Sequence, residues 1–143
     1  MKLSTKGKYG LRALVDLAVN SGEEAVSINS IAQRQDISEG YLEQLMAKLK
    51  KAGIVVSTRG ARGGYTLAKP ADEIWVGDVL RALEGSIEPV DCPGIEGACT
   101  DADSCVTKTL WKRINDGVNM IVDQMSLQSL IEEGMHERKV QHG

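Results

Sequence analysis

The first apolar pattern along the chain repeats at helical spacing between residues 4 and 22. Ser4 is placed to cap the start of this helix, and Ser21 with Gly22 is placed to end it. The pattern therefore predicts an amphipathic helix. Its predicted core face consists of Leu11, Leu14, Val15, Ala18 and Val19.

Two further helical patterns follow, separated by a tight turn at residues 35–37. Ser27 can cap the shorter one and Ser38 the longer one, which Gly53 is placed to terminate. The predicted core residues are Ile28, Ile31 and Ala32 in the second helix and Leu42, Leu45, Met46 and Leu49 in the third.

The period changes after Gly53 from helical to extended. Residues 54–59, IVVSTR, and 65–68, YTLA, are short β-rich runs joined by GARGG, whose glycines can adopt positive φ. Three helices followed by a hairpin predict a winged helix-turn-helix domain over residues 1–70. The expected fold class is mainly α with a small β-hairpin wing.

The second half of the chain divides into four predicted segments. A helix over residues 74–84, with Gly85 at its end, has an apolar side formed by Val76, Val79 and Leu80 together with Leu83. No regular pattern is visible from residue 86 to about residue 105, and a loop of that length in a compact chain is usually functional or disordered. The predicted segments are a connecting helix at 71–85, a cysteine-bearing loop at 86–106, a long and then a short helix within 107–133, and a flexible tail at 134–143.

The long helix carries an apolar stripe of roughly five turns. The rest of the chain offers little core to cover that stripe, so pairing with a second copy of the chain is expected. A homodimer is therefore predicted. The stripe consists of Leu110, Trp111, Ile114, Val118, Ile121, Val122 and Met125.

Charge is divided unevenly between the two halves. The formal net charge is −3, but residues 1–70 carry 11 Lys+Arg against 6 Asp+Glu, a net of +5, and residues 71–143 carry 6 against 14, a net of −8. A basic half attached to an acidic half is typical of a protein that presents one end to a polyanion. The winged-helix half is therefore expected to bind double-stranded DNA.

The outward face of the third helix suits a major groove. Gln44 can make a bidentate contact with a base edge, while Glu43 can accept a hydrogen bond from cytosine and is repelled by phosphates. In the hairpin, Arg59 and Arg62 flank glycines that let the backbone approach DNA closely. The alternatives are that these charges form a solvated surface or that the winged helix binds protein. Predicted phosphate contacts come from Lys6, Lys8, Lys48, Lys50 and Lys51.

All three cysteines, Cys92, Cys99 and Cys105, lie in the cysteine-bearing loop. The chain has no apolar run long enough for a signal peptide or a membrane span, which predicts a cytoplasmic protein in a reducing compartment. Six and five residues separate the cysteines, a spacing wider than structural zinc sites favour. An iron–sulfur cluster or metal, reactive thiols, and surface cysteines without a role all stay open.

Four stretches resemble the bacterial Rrf-type winged-helix transcription factors: STKGKYGLRALVDLA, ISEGYLEQLMAKLKKAGIV, STRGARGGYTLAK and VGDVLRALEG. The cysteine trio followed by VTKTLW is similar to the IscR-like iron–sulfur cluster regulators within that family. The resemblance extends from Met1 to about Leu130. It implies a homodimer in which a long helix crosses to the partner, acting on palindromic operators.

The resemblance further implies transcriptional control, as a repressor, of iron–sulfur cluster assembly genes, with cluster supply sensed through the protein's own [2Fe-2S] cluster. Apo and loaded forms are expected to prefer different classes of operator. By position, Tyr41 and Gln44 match the recognition helix, Arg59 the wing, and Glu43 a position that discriminates between operator classes. The expected DNA-contacting set is Ser38, Tyr41, Glu43, Gln44, Lys48, Lys51, Arg59, Gly60 and Arg62.

The fourth cluster ligand departs from the family pattern. IscR-like proteins of the best-known type have a histidine three residues after the third cysteine, whereas this chain has Lys108, and a protonated ammonium cannot ligate iron. Both histidines lie at or near the tail. The candidates for the fourth ligand are the carboxylates of Glu43, Asp91, Asp101 and Asp103, or a ligand from outside the protein. A carboxylate is a harder ligand than a thiolate, so such a cluster is expected to be labile.

Several other functions compete with this interpretation. Within the family they are a nitric-oxide or redox-sensing cluster regulator, disfavoured by Lys8 where an acid is expected, and a thiol or zinc regulator without a cluster. The relatives that control cysteine metabolism lack the cysteine trio. An enzyme is not expected, because the chain has no CxxC motif and no phosphate-binding glycine loop.

Overall fold

The computed structural model describes residues 3–22, 24–61, 63–90 and 102–142, and at 102–105 and 139–142 it describes the backbone alone. Helices alternate with one hairpin across these ranges. In chain order the elements are α1 (Thr5–Asn20), α2 (Ile28–Gln35), α3 (Glu39–Lys51), β1 (Val55–Thr58), β2 (Gly64–Leu67), α4 (Val76–Glu84), α5 (Ala102–Asp123) and α6 (Leu127–His142).

The first three helices begin at the serines expected to cap them. Ser4 Oγ accepts a hydrogen bond from the Lys6 backbone N–H at 3.1 Å, and the Ser27 and Ser38 hydroxyls each accept one from a backbone N–H three residues later at 3.2 Å. These bonds satisfy N–H groups that the start of a helix leaves without a partner. Asp36, with φ 55°, makes the predicted turn between α2 and α3.

The core of the N-terminal half was predicted correctly for α3 and only partly for α1. All four predicted core residues of α3 are at most 1% exposed. In α1, Val19 is 48% exposed, contrary to prediction, while Ala13 and Leu17 are fully buried. The reason is that α2, α3 and α4 all pack against α1, so its buried positions extend beyond the single face that a periodicity argument selects.

The hairpin forms the predicted wing, with β1 and β2 antiparallel in a register that pairs Val55 with Leu67 and Thr58 with Gly64. Val26, which precedes α2, adds a bridge to Tyr65: each residue's N–H donates to the other's carbonyl, at 2.8 and 2.9 Å. The base of the wing is thus attached to the helical domain. Together with the three helices, the hairpin confirms the winged-helix fold.

The connecting helix α4 packs closely against α1. Gly10 makes the approach possible, because a Cβ at this position would lie 2.5 Å from Leu83 Cδ1. α4 begins at Val76, two residues later than predicted, since residues 71–73 form a short 3-10 turn and Trp75 bridges to Ser126. Its four predicted apolar residues are all buried.

α5 and α6 are longer than predicted. α5 begins at Ala102, so residues 102–106, expected in the cysteine-bearing loop, start a helix instead. α6 continues to His142, although the sequence analysis placed a flexible tail from residue 134. Leu127 is fully buried against the N-terminal core, and the residues after Gly134 are ordinary helix formers without proline, so nothing local ends the helix there.

Six of the seven residues in the predicted apolar stripe divide into two sets, and the seventh, Trp111, is partly buried. Val118, Val122 and Met125 pack against the buried residues of α4 and Ile87. Leu110, Ile114 and Ile121 are 51%, 37% and 64% exposed, and Val106, on the same side of the helix, is 75% exposed. The chain therefore covers only part of the stripe by itself. Among the described helices, none combines the length and apolar character needed to cross a bilayer.

Candidate nucleic-acid interface and cysteine-bearing segment

The outward face of α3 is exposed along its whole length. The four core residues of α3 lie against α1, α2 and α4, which turns Glu43, Gln44, Ala47, Lys48 and Lys51 to the surface. A Cβ added at Gly40 would meet nothing within 4 Å, so the start of this face is also open. These are the positions expected to enter a major groove.

Positive charge is concentrated at one end of that face, because Lys48, Lys50 and Lys51 occupy the last turn of α3. Cations there are stabilised by the helix dipole and are available to phosphates. Glu43 lies one turn earlier and has no hydrogen bond or ion pair to any residue that the structure describes. Its carboxylate is therefore available either to a base or to a ligand from outside the described residues.

Tyr41 is held at the start of α3 by residues of α1. Its hydroxyl lies 3.0 Å from Thr5 Oγ1, and its ring packs edge-on against Tyr9, with centroids 6.3 Å apart and planes at 70°. Arg12 in turn lies over the Tyr9 ring, 5.2 Å from its centroid. The position of this predicted DNA-contacting residue is thus set by another helix.

The wing presents Arg59 at the end of β1, where its side chain is exposed. Gly60 follows with φ 111°, a backbone conformation that residues with a Cβ rarely adopt. At Gly64 a Cβ would lie 2.2 Å from the Val26 carbonyl oxygen, so the bridge between β2 and Val26 requires glycine there. The predicted contact Arg62 lies outside the described residues.

The N-terminus of α1 is capped a second time by α4. The Glu84 carboxylate accepts hydrogen bonds from the Ser4 N–H at 3.1 Å, from the Gly7 N–H at 2.7 Å and from the Ser4 hydroxyl. Burial raises the pKa of Glu84, but these bonds and the nearby Lys6 charge outweigh burial. The pKa therefore lies below its ordinary value, and Glu84 is ionised at neutral pH.

Most of the predicted cluster ligands fall outside the described residues. These are Cys92, Cys99, Asp91 and Asp101; Cys105 and Asp103 are placed by backbone alone in the first turn of α5. In the part of the chain with described side chains, no three His, Cys, Asp or Glu residues converge as a metal site would require. The chemistry of the available side chains fits a cluster in part. Cysteine thiolates are the usual ligands of iron–sulfur clusters and the chain has three, whereas the ammonium of Lys108 cannot be a ligand.

The residues just before the cysteines are attached to α5. The buried side chain of Asn115 accepts a hydrogen bond from the Val90 N–H at 3.1 Å and donates to the Val90 carbonyl at 2.9 Å. Its amide also lies 3.3 Å from the Glu88 carboxylate. Cys92 follows Val90 by two residues and Cys105 precedes Asn115 by ten, so both ends of the cysteine-bearing segment are attached to one helix.

Three residues of this region had no role in the sequence prediction: Thr5, Glu84 and Asn115. Each acts on a partner distant in sequence, Thr5 on residue 41, Glu84 on residues 4 and 7, and Asn115 on residue 90. Periodicity and motif spacing report only on near neighbours. Only Ser4 gave a local signal, since the sequence predicted that it caps α1. The sequence did not predict that Ser4 also contacts Glu84.

Comparison with known proteins gives one family and two kinds of relative. The Rrf2 profile, described as an iron-dependent transcriptional regulator, matches residues 3–133. The transcriptional regulator IscR of Pectobacterium carotovorum is 42% identical over 131 residues, 92% of this chain and 79% of that protein. The structure of CymR, the global cysteine regulator of B. subtilis, superposes with a TM-score of 0.79 at 43% identity, covering 93% of this chain and 98% of CymR. T. potens IscR superposes with a TM-score of 0.74 at 42% identity, covering 94% and 88%. The IscR proteins and CymR are about equally similar to this chain, so similarity alone does not decide whether it resembles IscR or CymR in function.

Proposed function

This chain belongs to the Rrf2 family of transcriptional regulators, and from that membership we propose that it is a cytoplasmic homodimeric repressor of iron–sulfur cluster assembly genes. Like its relatives, it is a bacterial DNA-binding regulator and not an enzyme. The finer proposal is that it senses cluster supply through its own [2Fe-2S] cluster, with apo and loaded forms preferring different operators. The observation that carries it is the cysteine trio, Cys92, Cys99 and Cys105, in a chain whose α3 has an exposed outward face.

Operator recognition is assigned to the exposed face of α3 and to the wing. Gln44 reads a base edge, Lys48 and Lys51 contact phosphates, and Arg59 approaches the minor groove. Support comes from the exposure of all four side chains and from the two backbone hydrogen bonds that join the wing to Val26. Ser38, Tyr41, Glu43, Gly60 and Arg62 complete the proposed interface.

Three thiolates and one carboxylate are the proposed cluster ligands. Glu43, Asp91, Asp101 and Asp103 are the candidates for the carboxylate. Glu43 is supported by having no partner among the described residues, and it is the candidate that lies on the DNA-reading helix. If Glu43 binds iron, its carboxylate leaves the DNA face, which would connect cluster occupancy to operator choice.

A second candidate function is supported by the similarity to CymR. In that case the chain regulates cysteine metabolism without a cluster, and the cysteines are reactive or incidental thiols. The cysteine trio favours the first candidate. A cluster requires several thiolates close together, whereas a regulator without a cluster has no such requirement.

One experiment tests both parts of the proposal. The full chain is reconstituted anaerobically with ferrous iron and sulfide, and absorption and electron paramagnetic resonance spectra are recorded for wild type and for alanine variants of the four carboxylates. Apo and loaded proteins are then titrated against duplexes enriched from a random pool by each form. We expect a two-iron spectrum, loss of that spectrum in one carboxylate variant, and different enriched sequences for the two forms.

Matched variants test the DNA interface in the same titrations. Gln44→Ala should weaken binding by about 5- to 100-fold, the range expected for one bidentate base contact, and Arg59→Ala should also lower the salt dependence. The controls Gln124→Ala and Lys112→Ala remove a glutamine and a cation from exposed positions outside α3, the wing and the Leu110 side of α5. Bound zinc with no iron chromophore would overturn the cofactor, and unchanged binding by the α3 and wing variants would overturn the interface.

A further inference from the structure

A series of polar contacts links the end of α4 to the start of α3. Glu84, the last residue of α4, holds the first turn of α1 through the N–H groups of Ser4 and Gly7. Thr5 lies within that turn and meets the Tyr41 hydroxyl at 3.0 Å. The series therefore contains one carboxylate, one helix N-terminus and one pair of hydroxyl groups.

Packing alone does not account for the pair of hydroxyl groups. The Tyr41 ring is already fixed from the side by its edge-on contact with Tyr9, and phenylalanine would make the same contact. The Thr5–Tyr41 bond is exposed to solvent, where a neutral hydrogen bond contributes little net stability because water replaces it. What the bond does determine is where the Tyr41 hydroxyl is held and in which direction it can donate or accept.

That direction is important at a surface that binds DNA. Tyr41 is in the first turn of α3, next to the exposed positions of Gly40, Glu43 and Gln44. A hydroxyl already held in place by the protein loses less conformational freedom on binding than a free one. Glu84 adds to this by ordering the turn of α1 from which Thr5 projects.

We propose that Thr5, held in turn by Glu84, is a positioning residue that orients the Tyr41 hydroxyl for sequence-specific DNA contact. The inference rests on the proposed function, because it requires Tyr41 to lie at the operator interface. It assigns no direct DNA contact to Thr5 or Glu84. Their effect on binding passes through Tyr41.

A double-mutant cycle tests the proposal. Operator affinity is measured for Thr5→Val, Tyr41→Phe, Glu84→Ala and the pairs with Tyr41→Phe, using a duplex enriched from a random pool by wild-type protein. A scrambled duplex of the same composition measures non-specific binding. Each single variant should weaken operator binding by about 2- to 10-fold, the range for one neutral hydrogen bond. Thr5→Val and Glu84→Ala should cause no further loss in the Tyr41→Phe background.

Three further measurements separate positioning from a general structural role. Thr5→Ser should restore binding because it keeps the hydroxyl, and the scrambled duplex should bind all variants equally. The salt dependence of operator binding should not change, since no phosphate contact is removed. The control variant Thr109→Val removes a threonine hydroxyl from an exposed position of α5, outside α3 and the wing, and should bind like wild type.

Two results would show that the positioning role is wrong. One is a double variant whose fold-loss of operator affinity equals the product of the losses from Thr5→Val and Tyr41→Phe. The other is a Thr5→Val protein that binds both duplexes more weakly by the same factor. Operator affinity that stays at the wild-type value in all variants overturns it as well. If wild type enriches no sequence from the pool, the proposed function fails and this inference fails with it.

Discussion

Asp16 is a carboxylate on α1 that is only 5% exposed and that the sequence analysis did not single out. Arg34 donates to it from both Nε and a terminal nitrogen, the closest at 2.7 Å, and Gln35 donates at 2.9 Å. Burial raises the pKa of Asp16, but the hydrogen bonds from Arg34, Gln35 and Asn20, with the Arg34 charge, lower it below its ordinary value. The ionised carboxylate thus attaches α2 to α1.

We predict that Asp16→Asn lowers the free energy of unfolding by about 1–3 kcal/mol at neutral pH, the range for hydrogen bonds to a charged group. Because the folded-state pKa of Asp16 is depressed, its contribution is present above the unfolded-state pKa, about 4, and is lost as the pH falls through the folded-state value. The difference between variant and wild type should therefore shrink below about pH 4. Urea unfolding across pH measures it.

The control for this prediction is Asp123→Asn. Asp123 has the same 2.7 Å contact with an arginine, Arg81, but its side chain is 46% exposed, so the loss should be under about 1 kcal/mol. Equal losses in the two variants, or an Asp16→Asn effect that persists at pH 2, would contradict the assignment of stability to the ionised Asp16.

Local residue chemistry was predictable where it depended on near neighbours. The three serine caps and the turn at Asp36 were found because each involves residues no more than a few positions apart. The burial of Asp16 and the second cap from Glu84 were not, because both depend on which helix lies against α1. From the sequence alone, a charged residue in an amphipathic helix is predicted to be exposed, because its ion-pair or hydrogen-bond partner on another helix is not known.

Among the elements, the wing depends on a close backbone contact. β2 is joined to the helical domain through Val26 and Tyr65, and at Gly64 the Val26 carbonyl leaves no space for a side chain. We predict that Gly64→Ala destabilises the protein by about 1–3 kcal/mol, as overpacking typically does, and weakens operator binding further by displacing the wing. Thermal unfolding and operator titration measure the two effects.

Gly134→Ala is the matched control for that substitution. Gly134 lies within α6, and a Cβ there would meet nothing within 4 Å. Alanine should therefore stabilise the helix by up to about 1 kcal/mol. The two alanine substitutions are expected to have opposite signs, and a Gly64→Ala protein as stable as wild type would show that the wing can move away from Val26.

The boundaries of α5 and α6 show where prediction of elements fails. The long apolar stripe correctly located α5, but the helix extends eight residues before Leu110, through Cys105, where no apolar repeat marks it. Residues 102–109 contain no proline or glycine, so their local sequence is compatible with a helix. Periodicity locates the part of a helix that carries an apolar repeat and misses turns that have none.

At the level of the whole molecule, the exposed half of the α5 stripe is the main unpaired surface among the described residues. Val106, Leu110 and Ile121 are each more than half exposed on a helix whose other side is packed against α4. Apolar side chains in a row usually mark a protein–protein interface, and a helix of 22 residues is long enough to pair with a second copy. This supports the proposed dimer.

We predict that Leu110→Asp shifts the proposed dimer toward a monomer of 15.4 kDa. By symmetry the substitution removes two apolar side chains from the interface and adds two charges, so the dimer dissociation constant should rise at least about tenfold. Sedimentation velocity measures the mass, and operator binding should fall because only a dimer spans two half-sites.

Lys112→Asp is the control for the dimer prediction. It introduces the same residue two positions further along α5, away from the Leu110 side of the helix, at an exposed position. This variant should sediment like wild type. A Leu110→Asp protein that stays dimeric would place the dimer contact elsewhere on the molecule.

The one-dimensional pattern was enough to establish the winged-helix fold, the core of α3 and α4, the basic charge of the N-terminal half and the cysteine trio. Each of these follows from the spacing or composition of residues near one another in the chain. The tertiary structure decided which residues of α1 are buried, that Glu84 and Thr5 meet the starts of other helices, and that half of the α5 stripe is uncovered. These depend on how helices are placed against each other, and that placement is set by the packing of the whole core, which no local pattern contains.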